Sequence, residues 1–485
     1  MKEHFNSIII GSGFSGICAA IQLQKAGFID FVILEKDALP GGTWAVNTYP
    51  GCACDIPSHL YSFSFEPKTD WSRAFPNQQE ILDYINVCLD KYQLREKIQL
   101  NQQVISAHFD EKNYQWTVQT ACGKTYTAPY LITGTGGLSE AAIPEIKGMD
   151  QFEGAIFHSS RWNHAIDLKD KNVAVIGTGA SAIQFVPQVV SVCKELQLYQ
   201  RTAPWILPKP DRAYRGFEKW LFQHIPGWRY VYREFIYWTL ELRAIAFVLY
   251  PKLLKIASGK AKKYLKKNLQ RADFIPKLSP DYVMGCKRIL MSNDYYQSLN
   301  SERVSLVDVG IEEIKSNSIK AKDGTERNCD VIILATGFKA TEYLAKIEIK
   351  GLNGQTLSEA WQKGGRAYYG STVAGFPNLF MCTGPNTGLG HNSMIHIIES
   401  QVNYIIKAIQ YMQKNQKQIM HVKPEIQHAF NATLQQDLKR TVWQTGGCHS
   451  WYQDETGANP TLWPGFTFTF RNKLKKFDSE NYLFE

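Results

Sequence analysis

SIIIGSGFSGICAAIQLQ, residues 7–24, passes from four strand-like residues through Gly11, Gly13 and Gly16 into a stretch of helical character. The glycines let the backbone turn tightly and approach a pyrophosphate, whose charge sits at the amino terminus of the helix. A second apolar run, residues 31–34, follows and ends in Glu35. A carboxylate at that point accepts hydrogen bonds from the hydroxyl pair of a ribose. The pattern predicts the opening strand, helix and strand of a Rossmann-like dinucleotide-binding domain.

The design recurs. NVAVI at 172–176 is followed by Gly177, Thr178, Gly179, Ala180, Ser181 and Ala182, a helical stretch to about 192 and a strand at 196–200 that ends in Arg201. Glu35 and Arg201 each lie 24 residues beyond the first glycine of their motif (11 to 35 and 177 to 201). A carboxylate repels a ribose 2′-phosphate, whereas an arginine pairs with it through a charge-assisted fork. FAD is therefore expected on the first motif and NADPH on the second. Thr202 adds a hydroxyl beside the phosphate, and Gln184 belongs with the pyrophosphate turn.

A chain of 485 residues with 44% hydrophobic content is expected to form roughly three domains. Ten cysteines, among them Cys52, Cys54, Cys122 and Cys286, follow no spacing that suggests a disulfide framework or a zinc site, and a reducing cytosol is the simpler expectation. MKEHFN leads directly into the first strand with no signal-peptide pattern, and no uncharged apolar run approaches the ~18 residues of a membrane span. The net charge of +9 gathers in KLLKIASGKAKKYLKK, residues 252–267. A solvated helix face is the expectation there, with contact to an anionic membrane surface as the alternative. No nucleic-acid, metal or obligate protein-partner motif accompanies it.

Between the two nucleotide motifs stands FEGAIFHSSRW, residues 152–162, with Phe152, Gly154, His158 and Trp162 at fixed offsets. This arrangement resembles the type I Baeyer-Villiger monooxygenases, and the resemblance covers nearly the whole chain. It implies an α/β fold of two Rossmann-like domains, for FAD and NADP, with a helical insertion in the NADP domain. It also implies insertion of one oxygen atom from O2 beside a ketone carbonyl, through a C4a-peroxyflavin, to give an ester or lactone; sulfides are a further class of substrate. In GGTWAVNTYPGCACDIPSHLYSFSF, residues 41–65, the positions of Thr43, Trp44, Asp55 and Tyr61 match those that meet the flavin or its surroundings. Ala53 and Cys54 match positions near the nicotinamide nucleotide, and Val104 one whose backbone contacts the adenine. In MGCKRILMSNDYYQSL, residues 284–299, Lys287 is expected on the 2′-phosphate and Arg288 at the peroxyflavin, held by Asp55. His158 is expected to latch a domain arrangement, with a purely structural role as the alternative.

The resemblance divides the chain into a FAD domain at 1–138 and 377–485, an NADP domain at 139–213 and 286–376, and an insertion at 214–285. YLITGTGG (130–137) and VIILATGF (331–338) mark the crossings. Alternation in 102–127 predicts a small antiparallel sheet. The insertion is rich in aromatics at helical spacing, expected to pack against the nucleotide domains. The ending at 441–466 resembles that of relatives acting on aliphatic, aromatic and thioamide compounds; its Trp443, Trp451 and Trp463 are expected to close over substrate or to pack the tail. Two other functions fit parts of the pattern: an N- or S-oxidising flavin monooxygenase, and an NADPH-linked flavin electron carrier or redox sensor.

Overall fold

The computed structural model describes residues 2–342, 344–448, 450–454 and 456–485. Its first parallel sheet runs Leu379–Met381, Tyr130–Thr133, Ser7–Ile10, Phe31–Leu34, Ile98–Gln99. The middle strands Ser7–Ile10 and Phe31–Leu34 are buried along their whole length, as expected for parallel strands covered on both faces. Ser7 stands opposite Phe31 on one side and Tyr130 on the other. Ala19 and Ala20 keep the helix Phe14–Lys25 thin where it meets its neighbours; the long helix Met394–Lys414 packs beside it.

The second parallel sheet runs Val304–Val307, Glu195–Tyr199, Asn172–Ile176, Val331–Leu334, Ala155–His158. The fingerprint therefore supplies the edge strand of this sheet. A Cβ on Gly154 would lie 2.3 Å from the Asp330 carbonyl oxygen and 2.5 Å from the Phe152 ring. Phe152 thus folds over the glycine, and the spacing between the two is a packing requirement.

The crossings lie against the nucleotide turns. Gly11, at φ +97°, brings its Cβ position within 2.8 Å of the Gly134 carbonyl oxygen, and Gly177, at φ +109°, within 2.4 Å of the Ala335 carbonyl oxygen. A side chain at either place meets both backbone strain and a fixed oxygen. The chain just past the first crossing joins the second: the Ala142 amide donates to the Gly337 carbonyl at 2.9 Å, and the Thr336 hydroxyl donates to the Ala142 carbonyl at 2.6 Å.

Val104–Asp110, Gln115–Thr120 and Thr125–Ala128 form the expected antiparallel sheet. It is extended by Lys2–His4 and Glu348–Lys350, each parallel to its neighbour. The insertion is helical: Gly216–His224, Trp228–Glu241, Leu254–Asn268 and Phe274–Lys277. Its aromatics divide. Phe222 and Tyr237 are buried, whereas Trp220, Trp228, Tyr230, Phe235 and Trp238 face outward. The expectation that these rings pack against the nucleotide domains holds for the inner face only, because charged residues take the remaining inward positions. Buried Arg233 donates to the His59 carbonyl at 2.7 Å, and buried Glu241 accepts from the Asn392 amide at 2.6 Å.

This seam carries histidines held neutral. Burial, with Arg233 adding to it, lowers the His59 pKa to about 3; burial also lowers His396 well below its ordinary value. Unfolded, both titrate near ~6.5. Below that pH the unfolded chain takes up protons that the folded one refuses, so these groups contribute stability above the unfolded pKa that is lost as pH falls toward the folded one. At about pH 5 His59 alone costs about 2 kcal/mol. The melting temperature is expected to drop between about pH 7 and about pH 5; a flat profile would refute the burial of these rings as neutral groups.

Candidate active site

The first nucleotide turn is braced by its own acid. Glu35 is buried and accepts from the Ser12 amide at 2.8 Å and the Ser12 hydroxyl at 2.6 Å through one oxygen, and from the Asp37 amide at 3.0 Å through the other. The glycine spacing alone does not show that Ser12, inside the motif, is a partner of this acid. The Gln102 amide donates to the Glu35 carbonyl at 2.7 Å, which brings the start of Val104–Asp110 beside the turn. The helices Phe14–Lys25 and Ala182–Val192 both begin without a side-chain cap. Their first-turn amides are therefore left for another acceptor. A Cβ on Gly179 would meet nothing within 4 Å, so the second turn has room beside its backbone. The uncapped helix starts at Gly13 and Ser181 fit the pyrophosphates of two dinucleotides.

The loop at 41–65 bridges the halves. Trp44 donates from Nε1 to the Tyr61 hydroxyl at 3.2 Å, and the two rings meet edge to face at 5.5 Å. Thr43 opens the short helix Thr43–Val46 next to Gly42, whose Cβ position comes within 2.9 Å of Gly13 Cα. Gln184 reaches across from the start of the helix Ala182–Val192: its Oε1 accepts from the Tyr49 hydroxyl at 2.9 Å, and its Nε2 donates to the Ala53 carbonyl at 2.9 Å. Ala53 and Cys54 are thereby carried to the second nucleotide turn. Cys52 and Cys54 are free thiols. Burial pushes Cys52 up to about 11 and Cys54 higher still, with Asp55 adding to the second. Neither has the thiolate character of a redox dithiol.

Arg201 stands exposed beside Thr202, whose carbonyl accepts from the Thr178 hydroxyl at 3.4 Å. Lys287 converges on the same place. Its ammonium lies 5.0 Å over the Tyr282 ring, and its pKa is lowered by burial and by the charge of Arg201. Two cations that repel each other favour an anion between them.

The adjacent Arg288 faces the other way. Its Nε and Nη2 donate to Asp55 Oδ2 at 2.8 and 2.5 Å, and the Asp55 charge raises the guanidinium pKa further. Both side chains keep about a third of their surface open (32% and 33%). Tyr452 completes the group: it is buried, and burial raises its phenol while the Arg288 charge and hydrogen bonding pull it down. Sequence reasoning missed Tyr452; one more aromatic among the tryptophans of 441–466 carries no local signal. Trp451, at 4.4 Å from the Tyr452 ring, is the exposed tryptophan of the ending, whereas Trp443 and Trp463 are buried packing residues.

Cys286 corrects the expectation of unpaired cysteines: it is bonded to Cys448. The partners stand 162 residues apart, so no local spacing betrays the pair. The bond fastens the residue preceding Lys287 and Arg288 to the ending that carries Tyr452.

His158 lies outside this cluster. It ends the edge strand opposite Leu334, and its Nδ1 accepts from the Ser160 amide at 3.1 Å. Its Nε2 is buried, its ring meets Phe338 at 5.8 Å, and burial lowers its pKa while a backbone hydrogen bond at Gly337 opposes the shift. Trp162 packs edge to face on Phe157 and against Phe185 of the second nucleotide helix.

Residues 8–215 match a family model described as pyridine nucleotide-disulphide oxidoreductase. A Baeyer-Villiger monooxygenase of Pseudomonas aeruginosa is 46% identical over 99% of this chain and 91% of its own length. One of Streptomyces coelicolor is 41% identical over 99% and 93%. Among solved structures, cyclohexanone monooxygenase from Rhodococcus sp. Phi1 bound to NADP+ superposes with a TM-score of 0.90 at 26% identity over the full length of both chains. OTEMO in complex with FAD and NADP does so with 0.90 at 26% over 99% of each. On its length-wide identity with these relatives, and with the paired nucleotide folds that its own strands build, the chain belongs to the type I Baeyer-Villiger monooxygenases.

Proposed function

We propose that this flavoprotein monooxygenase uses FAD, NADPH and O2 to insert one oxygen atom beside the carbonyl of a small-molecule ketone, giving an ester or lactone. The observation that carries this reading is the Arg288–Asp55 pair, a fixed cation at the meeting of the flavin loop, the insertion's return and the ending. Bound FAD would supply hydride acceptance from NADPH and activation of O2. Gly11, Gly13, Gly16, Glu35, Thr43, Trp44, Tyr61 and Val104 are the residues that hold it. Gly177, Thr178, Gly179, Ala180, Ser181, Gln184, Ala53 and Cys54 hold the second nucleotide, with Arg201, Thr202 and Lys287 on its 2′-phosphate. Residues 1–138 and 377–485 serve the first cofactor and 139–213 and most of 286–376 the second, with the insertion at 214–285, while the strand Glu348–Lys350 joins the sheet of the first.

Asp55 spends one oxygen on two guanidinium nitrogens, fixing the plane of Arg288 and leaving Nη1 outside the pair. A preorganised cation lowers the energy of negative charge developing on oxygen at the carbonyl. Arginine suits the task because it stays protonated at working pH. Mixing the FAD-loaded enzyme, NADPH and O2 with linear, cyclic and aryl ketones and a thioether, then weighing the products, tests the reading. An ester from a ketone is expected; peroxide as the sole product across the panel would overturn it.

Arg201→Ala is expected to raise the KM for NADPH by about tenfold to a hundredfold, the worth of a charge-assisted hydrogen bond of roughly 1.5 to 3 kcal/mol, and to leave NADH almost untouched. Equal losses with both would refute the assignment. For His158 the role is conformational: at a strand end against Phe338 it steadies the crossing at 331–338. His158→Gln should retain more ester formation than His158→Ala. If both abolish it alike while NADPH still reduces the flavin, the histidine acts directly in the chemistry.

A further inference from the structure

The outward face of the insertion has a composition that protein surfaces seldom carry. Along the helix Trp228–Glu241 and the residue beyond it, Trp228, Val231, Phe235, Trp238 and Leu242 recur at spacings of three and four, and each is between 41% and 65% exposed. The opposite stripe, Arg233, Ile236, Tyr237 and Leu240, is buried, with Arg233 and Glu241 fastening it inward. The helix is thus held firmly in an orientation that turns large apolar side chains to solvent. Leu249, Tyr250, Leu253 and Ile256 continue the exposed set through the next turn, at 46% to 66%.

Beyond this helix the charge is of one sign. Between Glu241 and Asp273 the chain has nine lysines and arginines and no carboxylate, which equals the formal net charge of the entire protein, +9. The helix Leu254–Asn268 buries Leu254, Ala261 and Leu265 and exposes Lys255, Lys260, Lys262, Lys263, Lys266 and Lys267. No helix among the described residues is long and apolar enough to cross a membrane.

We infer that this face docks on the surface of an anionic phospholipid bilayer, with the aromatic stripe at the headgroup level and the lysines on the lipid phosphates. Tryptophan and tyrosine favour that level because their rings are apolar with one polar edge. Lysines extend aliphatic stems along the apolar layer and keep their ammonium groups at the phosphates. Apolar burial and attraction to anionic lipid act together, and neither requires a span. A second copy of the chain is a poorer occupant, since pairing two such faces would bring their cations together.

The test is sedimentation of the FAD-loaded enzyme with vesicles of phosphatidylcholine alone or mixed with phosphatidylglycerol. The enzyme is expected to sediment with the anionic vesicles, less so at high salt. The paired variant Phe235→Ser, Trp238→Ser and the triple variant Lys262→Gln, Lys263→Gln, Lys266→Gln should each bind about tenfold more weakly or worse, with flavin content and NADPH oxidation in solution unchanged. Wild-type enzyme that ignores anionic vesicles, or variants that bind them as well as wild type, would overturn the inference. So would a dimer in solution that the paired variant dissociates, since the face would then be covered by a second chain.

Discussion

Replacing Arg288 by alanine is expected to lower ketone oxygenation roughly a hundredfold or more, the worth of about 3 to 4 kcal/mol for one preorganised donor. NADPH should still reduce the flavin, and oxygen should return as peroxide. The physical reason lies in what Asp55 does to the guanidinium, holding Nε and Nη2 so that the cation does not reorient as charge develops. Arg288→Lys keeps the charge but loses the fork, and should recover only part of the rate. Asp55→Asn retains a weaker acceptor and should fall between alanine and wild type. Stopped-flow spectra with product analysis separate the half-reactions. Ester formed at the wild-type rate by Arg288→Ala would remove the arginine from the mechanism.

Gly16→Ala is expected to yield protein that purifies without flavin and melts at a lower temperature. A Cβ there would sit 1.9 Å from the Gly11 carbonyl oxygen, a clash that only movement of the pyrophosphate turn can relieve. Overpacking costs typically 1–3 kcal/mol, and more where backbone must give way. The second motif carries Ala182 at the corresponding place, fully buried without difficulty. Ala182→Gly should therefore cost about 1 kcal/mol at most and leave NADPH binding intact. Flavin absorbance per protein and thermal melts read both variants. A Gly16→Ala protein with full flavin and an unchanged melt would show that the first turn has the slack of the second.

The nucleotide folds are legible in one dimension because strand, turn and helix are contiguous. Ser7–Ile10, Phe31–Leu34 and Asn172–Ile176 lie on the expected residues, and Glu195–Tyr199 starts and ends one residue early. Lys287 and Arg288 reach different partners, but Lys287 sits in a bend ahead of the strand Leu290–Met291, so strand alternation does not account for their divergence. The insertion was harder to read. Helical spacing reveals two stripes on Trp228–Glu241 without saying which meets protein, and polarity points the wrong way: Arg233 and Glu241 go inside and Trp238 outside. Partners 162 residues apart (Cys286 and Cys448) or 164 apart (288 to 452, Arg288 and Tyr452) leave no local trace of each other.

The Cys286–Cys448 bond also restricts how the enzyme can open. A tail lying over a reaction site ordinarily peels away from its free end, like a flap. Here the segment is pinned two residues before Arg288, and Tyr452 follows only four residues beyond the pin. The ending at 441–466 is therefore geared to the segment that carries the arginine: lifting one drags the other. With the proposed site at Arg288, exchange of substrate and product would use a path beside this linked unit or move the unit as a whole, and an excursion of the ending would also pull on the hold of Asp55 over Arg288.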